Sequence, residues 1–113
     1  MSRYACSYLV KISSNRLQLL YDDLSRLSVF EIMHRRPDVL VLIEMPNEAM
    51  FSQLVTIELF NTPVSPSEIQ IDLLVKNHEL PLRVNNRCRQ FFERIHRTIT
   101  EDYRGRSLVK ISA

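Results

Sequence analysis

The sequence predicts an α+β protein whose body is a ferredoxin-like antiparallel sheet in the order β-α-β-β-α-β, extended by a C-terminal amphipathic helix and a short strand. Residues 4–12 alternate between apolar and polar side chains, residues 39–45 are almost continuously apolar, and residues 84–103 carry apolar side chains at helical spacing. The chain has 113 residues, of which 45% are apolar and 25% charged, so we expect a single globular domain over residues 1–113.

The first predicted elements are a strand and a helix. The strand turns one apolar face toward the core, formed by Tyr4, Cys6, Tyr8, Val10 and Ile12. Either Ser14 or Asn15 can cap the helix that follows, and Gln18 lies three residues after Asn15, as in a capping box. The helix then buries a stripe of apolar side chains, formed by Leu17, Leu20, Tyr21, Leu24 and Leu27.

A β-hairpin is predicted next, with strands over residues 29–34 and 39–45. Its turn lies between them, where Pro37 presets φ and Asp38 can close the loop. The second strand is the most apolar in the chain, and we therefore expect it at the centre of the sheet. Glu44 interrupts this strand, and we expect its carboxylate to lie near the strand end or to pair with an arginine.

Residues 54–60, with the sequence LVTIELF, are compatible with either a helix or a strand. A helix starting at Pro46-Asn47 would have one apolar face, formed by Met50, Leu54 and Ile57. A strand would instead show alternation at Val55, Ile57 and Leu59. We favour the helix, and the strand alternative gives a β-meander packed on two or three helices. A loop is expected over residues 61–67, followed by a strand over residues 69–75.

The C-terminal helix separates its apolar residues from its arginines. Its apolar side consists of Val84, Cys88, Phe91, Phe92, Ile95, Ile99 and Tyr103. The opposite side carries the candidate partner-binding residues Arg87, Gln90, Arg94 and Arg97, joined by Arg83 if the helix begins early and by Arg104 at its margin. Gly105 suits the C-terminal cap, and residues 108–112 predict a final strand. We expect the apolar side to cover a sheet face that bears Leu9, Leu40, Leu42 and Leu74.

Charge is distributed unevenly along the chain. The formal net charge is +2, but residues 1–79 carry seven Lys and Arg against ten Asp and Glu, and residues 80–113 carry eight against three. The predicted ferredoxin-like body is thus mildly acidic and the C-terminal helix and strand are basic, which points to an anionic partner. Arginine outnumbers lysine twelve to three, and its planar fork suits carboxylate and phosphate groups.

The residue pattern argues against an enzyme. A single glycine cannot build a phosphate-cradling loop, and the sequence contains no Cys-x-x-Cys motif. His34, His78 and His96 lie far apart in sequence and show no metal-ligand spacing. We therefore expect no catalytic residue, no cofactor and no metal. Cys6 and Cys88 fit small buried hydrophobic residues in a reducing compartment.

These patterns predict a small, non-enzymatic, cytoplasmic protein with a regulatory role that binds another macromolecule. We expect the partner to be a protein, bound through the arginines of the C-terminal helix. Nucleic acid bound at its phosphates is the alternative, although the third predicted strand lacks the aromatic side chains that stack on bases. A homodimer stays open. No stretch approaches the roughly 18 apolar residues of a membrane span, so no membrane partner is expected.

Overall fold

The computed structural model of the protein describes residues 2–27, 29–45, 54–77 and 87–112. In chain order its elements are β1 (Ser2–Val10), α1 (Ser14–Ser25), β2 (Phe30–Arg36), β3 (Val39–Glu44), β4 (Thr56–Ser65), β5 (Glu68–Asn77), α2 (Arg87–Arg97) and β6 (Arg106–Ser112). A π-helical segment, Thr98–Asp102, continues α2. The strands of the described residues form one antiparallel six-stranded sheet in the spatial order β2-β3-β4-β5-β1-β6.

The fold is not ferredoxin-like, because the helix expected over residues 54–60 does not form. Thr56 begins strand β4, which lies between β3 and β5 and pairs with both. Its fully buried side chains lie opposite buried leucines of β3, with Ile57 opposite Leu42 and Leu59 opposite Leu40. The β-type alternation therefore outweighs the helical spacing once a ladder is available on each side. Strands β2 to β5 form a meander, and the helix start expected at Pro46-Asn47 lies outside the described residues.

The loop expected over residues 61–67 is also wrong, because β4 continues to Ser65 and forms a hairpin with β5. The ladder between β3 and β4 ends where Val39 pairs with Phe60. Pro63 lies beyond this point, where the outer edge of β4 has no paired strand among the described residues, and a proline is tolerated at such an edge. The prediction for β5 is correct, and its buried residues are Ile69, Ile71, Leu73 and Val75.

Helices α1 and α2 pack on one face of the sheet, and their buried residues join those of the strands in one hydrophobic core. The residues that α1 contributes are those of its predicted stripe, Leu17, Leu20, Tyr21 and Leu24. The residues from α2 and the π-helical segment are Cys88, Phe92, Ile95 and Ile99. The predicted covered face is wrong, because Leu40 and Leu42 lie in this core whereas Leu9 and Leu74 are half-buried on the opposite face. A continuous apolar run such as β3 does not indicate which of its faces is covered.

The ends of the fold agree with prediction after small shifts. The cap of α1 is Ser13, one residue earlier than expected, and its Oγ accepts a hydrogen bond from the Arg16 N–H at 3.2 Å. The final strand, β6, pairs with β1 at an edge of the sheet. Cys6 and Cys88 are buried and form no disulfide. Among the described residues, no helix has the length and apolar character needed to cross a bilayer.

An ion pair joins the end of β3 to the start of α2. Glu44 is only 5% exposed, and its carboxylate pairs with the Arg87 guanidinium. The same carboxylate accepts a hydrogen bond from the Val55 N–H at 3.2 Å, next to β4. The prediction of an arginine partner for Glu44 is therefore confirmed. Because the charge of Glu44 is buried, Arg87 is needed to compensate it and to hold α2 against the sheet.

Replacing Arg87 should destabilise the protein through Glu44. We expect Arg87→Met to lower the free energy of unfolding by about 3 kcal/mol, because it leaves a buried carboxylate without its cation. In a Glu44→Gln background the same substitution should cost much less, since no charge is then left uncompensated. Urea unfolding followed by circular dichroism measures both losses. Equal losses in the two backgrounds would show that the ion pair does not have this role.

Candidate functional site

The outer side of α2 carries three of the six predicted partner-binding residues, Gln90, Arg94 and Arg97, all exposed. The inner side of the helix contributes its apolar residues to the core, namely Cys88, Phe92 and Ile95. The helical period therefore placed this outer face correctly. Neither Arg94 nor Arg97 forms a salt bridge with any other residue that the structure describes.

The other three predicted residues have different positions. Arg87 pairs with Glu44 and holds the helix against the sheet. Its guanidinium is therefore occupied within the protein rather than presented to a partner. Arg104 lies beyond the π-helical segment rather than on α2. Arg83 lies outside the described residues. The exposed arginines of α2 that remain from the prediction are therefore Arg94 and Arg97.

A groove of about 270 Å³ lies between α1 and the C-terminal half of α2. We call it the interhelical groove, and its lining residues are Asp23, Leu24, Leu27, Arg94, Ile95, Thr98 and Asp102. Leu24 and Ile95 are buried and give it an apolar floor, whereas Arg94 and the two carboxylates are exposed at its rim. An apolar centre with a charged rim is typical of protein–protein interfaces.

Arg104 occupies the turn that joins the π-helical segment to β6. Its φ is +55°, in the left-handed region, which costs a residue with a side chain roughly 1–2 kcal/mol. Gly105 closes the helix end, because its N–H donates a hydrogen bond to the Ile99 carbonyl at 2.8 Å. Gly105 thus takes part in the predicted cap, but the residue in the left-handed conformation is Arg104.

Gly105 is required for its missing side chain rather than for its φ. A Cβ at this position would lie 2.8 Å from Ile99 Cγ2, 3.1 Å from the Ile99 carbonyl oxygen and 3.2 Å from Val10 Cγ2. Ile99 and Val10 are fully buried, so neither can move aside without disturbing the core. Position 105 therefore requires glycine, and the left-handed conformation is adopted by the preceding residue, Arg104.

A larger cleft, of about 730 Å³, opens beside this turn. We call it the basic cleft, because it is lined by four exposed cations, Lys11, Arg16, Arg104 and Arg106. Glu68 and Asp102 are its acidic residues, so the lining has a formal excess of two positive charges. None of the four cations forms a salt bridge with another residue in the described ranges. The cleft therefore has positive charge that is available to an anion.

Tyr103 connects the basic cleft to α1. The Arg16 guanidinium lies over its ring, 5.2 Å from the ring centroid, and its hydroxyl donates a hydrogen bond to the Asp23 carboxylate at 2.7 Å. Burial and then the hydrogen bond to Asp23 raise the pKa of Tyr103 to about 12. The hydroxyl is therefore protonated at neutral pH and keeps the ring in place beneath Arg16.

Sequence reasoning missed the basic cleft because its cations come from separate elements. Lys11 follows β1, Arg16 lies in the first turn of α1, and Arg106 begins β6. Periodicity relates residues within one element and gives no information on such a cluster. The charge excess of residues 80–113 was the one available signal, and it includes Arg104 and Arg106 but neither of the other two.

The described residues contain no cluster of three His, Cys, Asp or Glu side chains that could hold a metal ion. His96 Nδ1 and the Tyr8 hydroxyl form a hydrogen bond of 2.7 Å, and the His96 ring stacks on Phe92 in the core.

Comparisons of this chain with protein-family models, with curated proteins and with solved structures give no match.

Neighbouring substitutions in the turn before β6 should have opposite effects on stability. Arg104→Gly should raise the free energy of unfolding by up to about 1 kcal/mol, because glycine adopts the left-handed conformation without a steric penalty. Gly105→Ala should lower it by about 1–3 kcal/mol, because the new Cβ meets buried side chains. Thermal and urea unfolding measure both. A destabilised Arg104→Gly protein would contradict the left-handed conformation at this residue.

Tyr103 should make stability depend on pH in the alkaline range. Its pKa is raised to about 12 in the folded state from an ordinary value near 10, so its contribution is complete below pH 10 and is lost as pH rises toward 12. We expect the stability advantage of the wild type over Tyr103→Phe to shrink by up to about 2 kcal/mol over this interval, and by less where solvent screens the hydroxyl. Urea unfolding at several pH values measures it, and a constant difference would refute the assignment.

Proposed function

We propose that this protein is a non-enzymatic binding protein that binds another protein through the outer side of α2 and the interhelical groove. The observation that carries the proposal is Arg94, an exposed cation at the rim of an apolar-floored groove, without a salt bridge among the described residues. Gln90 and Arg97 extend the same exposed side. Because guanidinium groups bind carboxylates through two parallel hydrogen bonds, the partner surface is acidic.

An acidic protein fits this surface better than a nucleic acid does. Asp23 and Asp102 lie beside Arg94 at the groove, so a partner has to place its negative charge opposite Arg94 alone, which a protein surface can do and a continuous phosphate backbone cannot. The apolar floor at Leu24 and Ile95 suits an apolar side chain of a protein partner, which a phosphate chain does not offer. A partner with a carboxylate opposite Arg94 and an apolar side chain next to it would complement both parts of the groove.

The proposal includes a cytoplasmic, regulatory role. Cys6 and Cys88 are buried and form no disulfide, which suits a reducing compartment. A homodimer is not part of the proposal. A two-fold interface through this side of α2 would bring the same arginine-bearing patch of both copies together, and its unpaired positive charges would repel one another.

A photo-crosslinking amino acid at position Gln90 tests this function in cells. We expect it to capture a partner protein with an acidic surface, and to capture much less of it from the Arg94→Gln/Arg97→Gln protein. The same crosslinker at Thr62, an exposed residue of the β4–β5 hairpin, is the matched control and should not capture that partner. Capture of nucleic acid at Gln90, or equal capture after the arginine substitutions, would refute the proposal.

The affinity for the captured partner should depend on the two exposed arginines. We expect Arg94→Gln/Arg97→Gln to weaken binding about tenfold, a loss of about 1.4 kcal/mol, because each exposed charge pair contributes up to about 1 kcal/mol. The effect should diminish at high salt. Isothermal titration calorimetry measures it, with Arg36→Gln on β2 as the matched control. An unchanged affinity in the double variant would exclude these arginines from the interface.

A further inference from the structure

The basic cleft has no role in the proposed protein interface and has the features of a separate anion site. Its four cations come from three parts of the chain, which the fold brings to the same end of the sheet. Against them lie two carboxylates, those of Glu68 and Asp102. Like charges gathered in a cleft repel one another. Within the described residues, none of the four cations forms a salt bridge that would relieve this repulsion. A bound anion would relieve it.

The backbone at Arg104 adds an independent argument. The fold places a left-handed conformation at this position, where glycine would be more stable, yet the chain has an arginine whose side chain lines the cleft. Residues held in such sparsely populated conformations concentrate at ligand sites. The combination of backbone strain and an unpaired guanidinium favours a role for Arg104 in binding.

The dimensions of the cleft indicate what kind of anion it binds. A volume of about 730 Å³ greatly exceeds that of a single ion and falls within the range of small-molecule sites. The lining also includes apolar surface, from the half-buried Leu9 and the buried Ile12 and Tyr103. A ligand that fills this space therefore has an organic part as well as an anionic group.

Phosphate is the anionic group that this lining suits best. Three of the four cations are arginines, whose planar forks match the oxygens of a phosphate and hold it by two hydrogen bonds each. A phosphate monoester has about two negative charges at neutral pH, which equals the formal excess of the cleft. We propose that the basic cleft binds a small organic molecule that carries a phosphate monoester.

Binding of simple probes to the full chain tests this inference. Isothermal titration calorimetry would compare adenosine monophosphate and glycerol 3-phosphate with adenosine and glycerol, which lack the charge. We expect the two phosphate esters to bind, the uncharged molecules not to bind, and Arg104→Gly and Arg106→Gln each to raise the Kd at least tenfold. Arg104→Gly is an informative variant because glycine suits the backbone there, so lost binding cannot result from lost folding. Arg36→Gln, on β2 at the opposite edge of the sheet, is the matched control and should bind like the wild type.

Four results would overturn the inference. The first is no binding of either ester at millimolar concentration and low salt, and the second is equal binding of adenosine and its monophosphate. The third is wild-type affinity in the Arg104→Gly and Arg106→Gln proteins. The fourth is a preference for inorganic phosphate, a phosphoserine peptide or an oligonucleotide over both esters, which would identify a different source of the phosphate group. None of these outcomes bears on Arg94 and Arg97, so the inference and the proposed protein interface stand or fall separately.

Discussion

The contact of Gly105 with Ile99 and Val10 is the constraint on which the C-terminal part of the fold depends. It brings the end of the π-helical segment against β1, so that the chain can leave the helix and pair as β6 along the edge of the sheet. Close packing leaves no space for a Cβ, and the left-handed turn that redirects the chain is taken by Arg104. The basic cleft forms beside this turn because β6 must start where β1 ends.

The orientation of α2 is determined at both of its ends. At its start the buried Glu44 attracts Arg87, and at its end the π-helical segment buries Ile99 beside the sheet. Between these two points Phe92 and Ile95 pack into the core. These contacts fix which side of the helix faces the sheet, and Arg94 and Arg97 therefore lie on its outer side. The apolar residues of α2 thus decide where its arginines lie.

The sequence predicted those parts of the fold in which one periodicity dominates. Periodicity correctly predicted the apolar stripe of α1, the alternation of β1 and β5, and the two sides of α2. The prediction from sequence was wrong at residues 54–60, where a helical and a β-type pattern coincide and pairing with β3 and β5 decides between them. It failed again for the covered face of β3, because an uninterrupted apolar run has no polar side to identify the solvent.

The candidate sites show the same contrast between residues related within one element and residues brought together by tertiary structure. Gln90, Arg94 and Arg97 were predictable because they share one face of one helix, whereas Lys11 and Arg16 meet Arg104 only through tertiary structure. The interhelical groove and the basic cleft are also connected by contacts that the sequence could not predict. Asp102 lines both, and the hydrogen bond from Tyr103 to Asp23 links the cleft to the groove. Substitutions at Asp102, Tyr103 or Asp23 would disturb both sites together, whereas substitutions of arginines that line only one of them separate the role of the groove from that of the cleft.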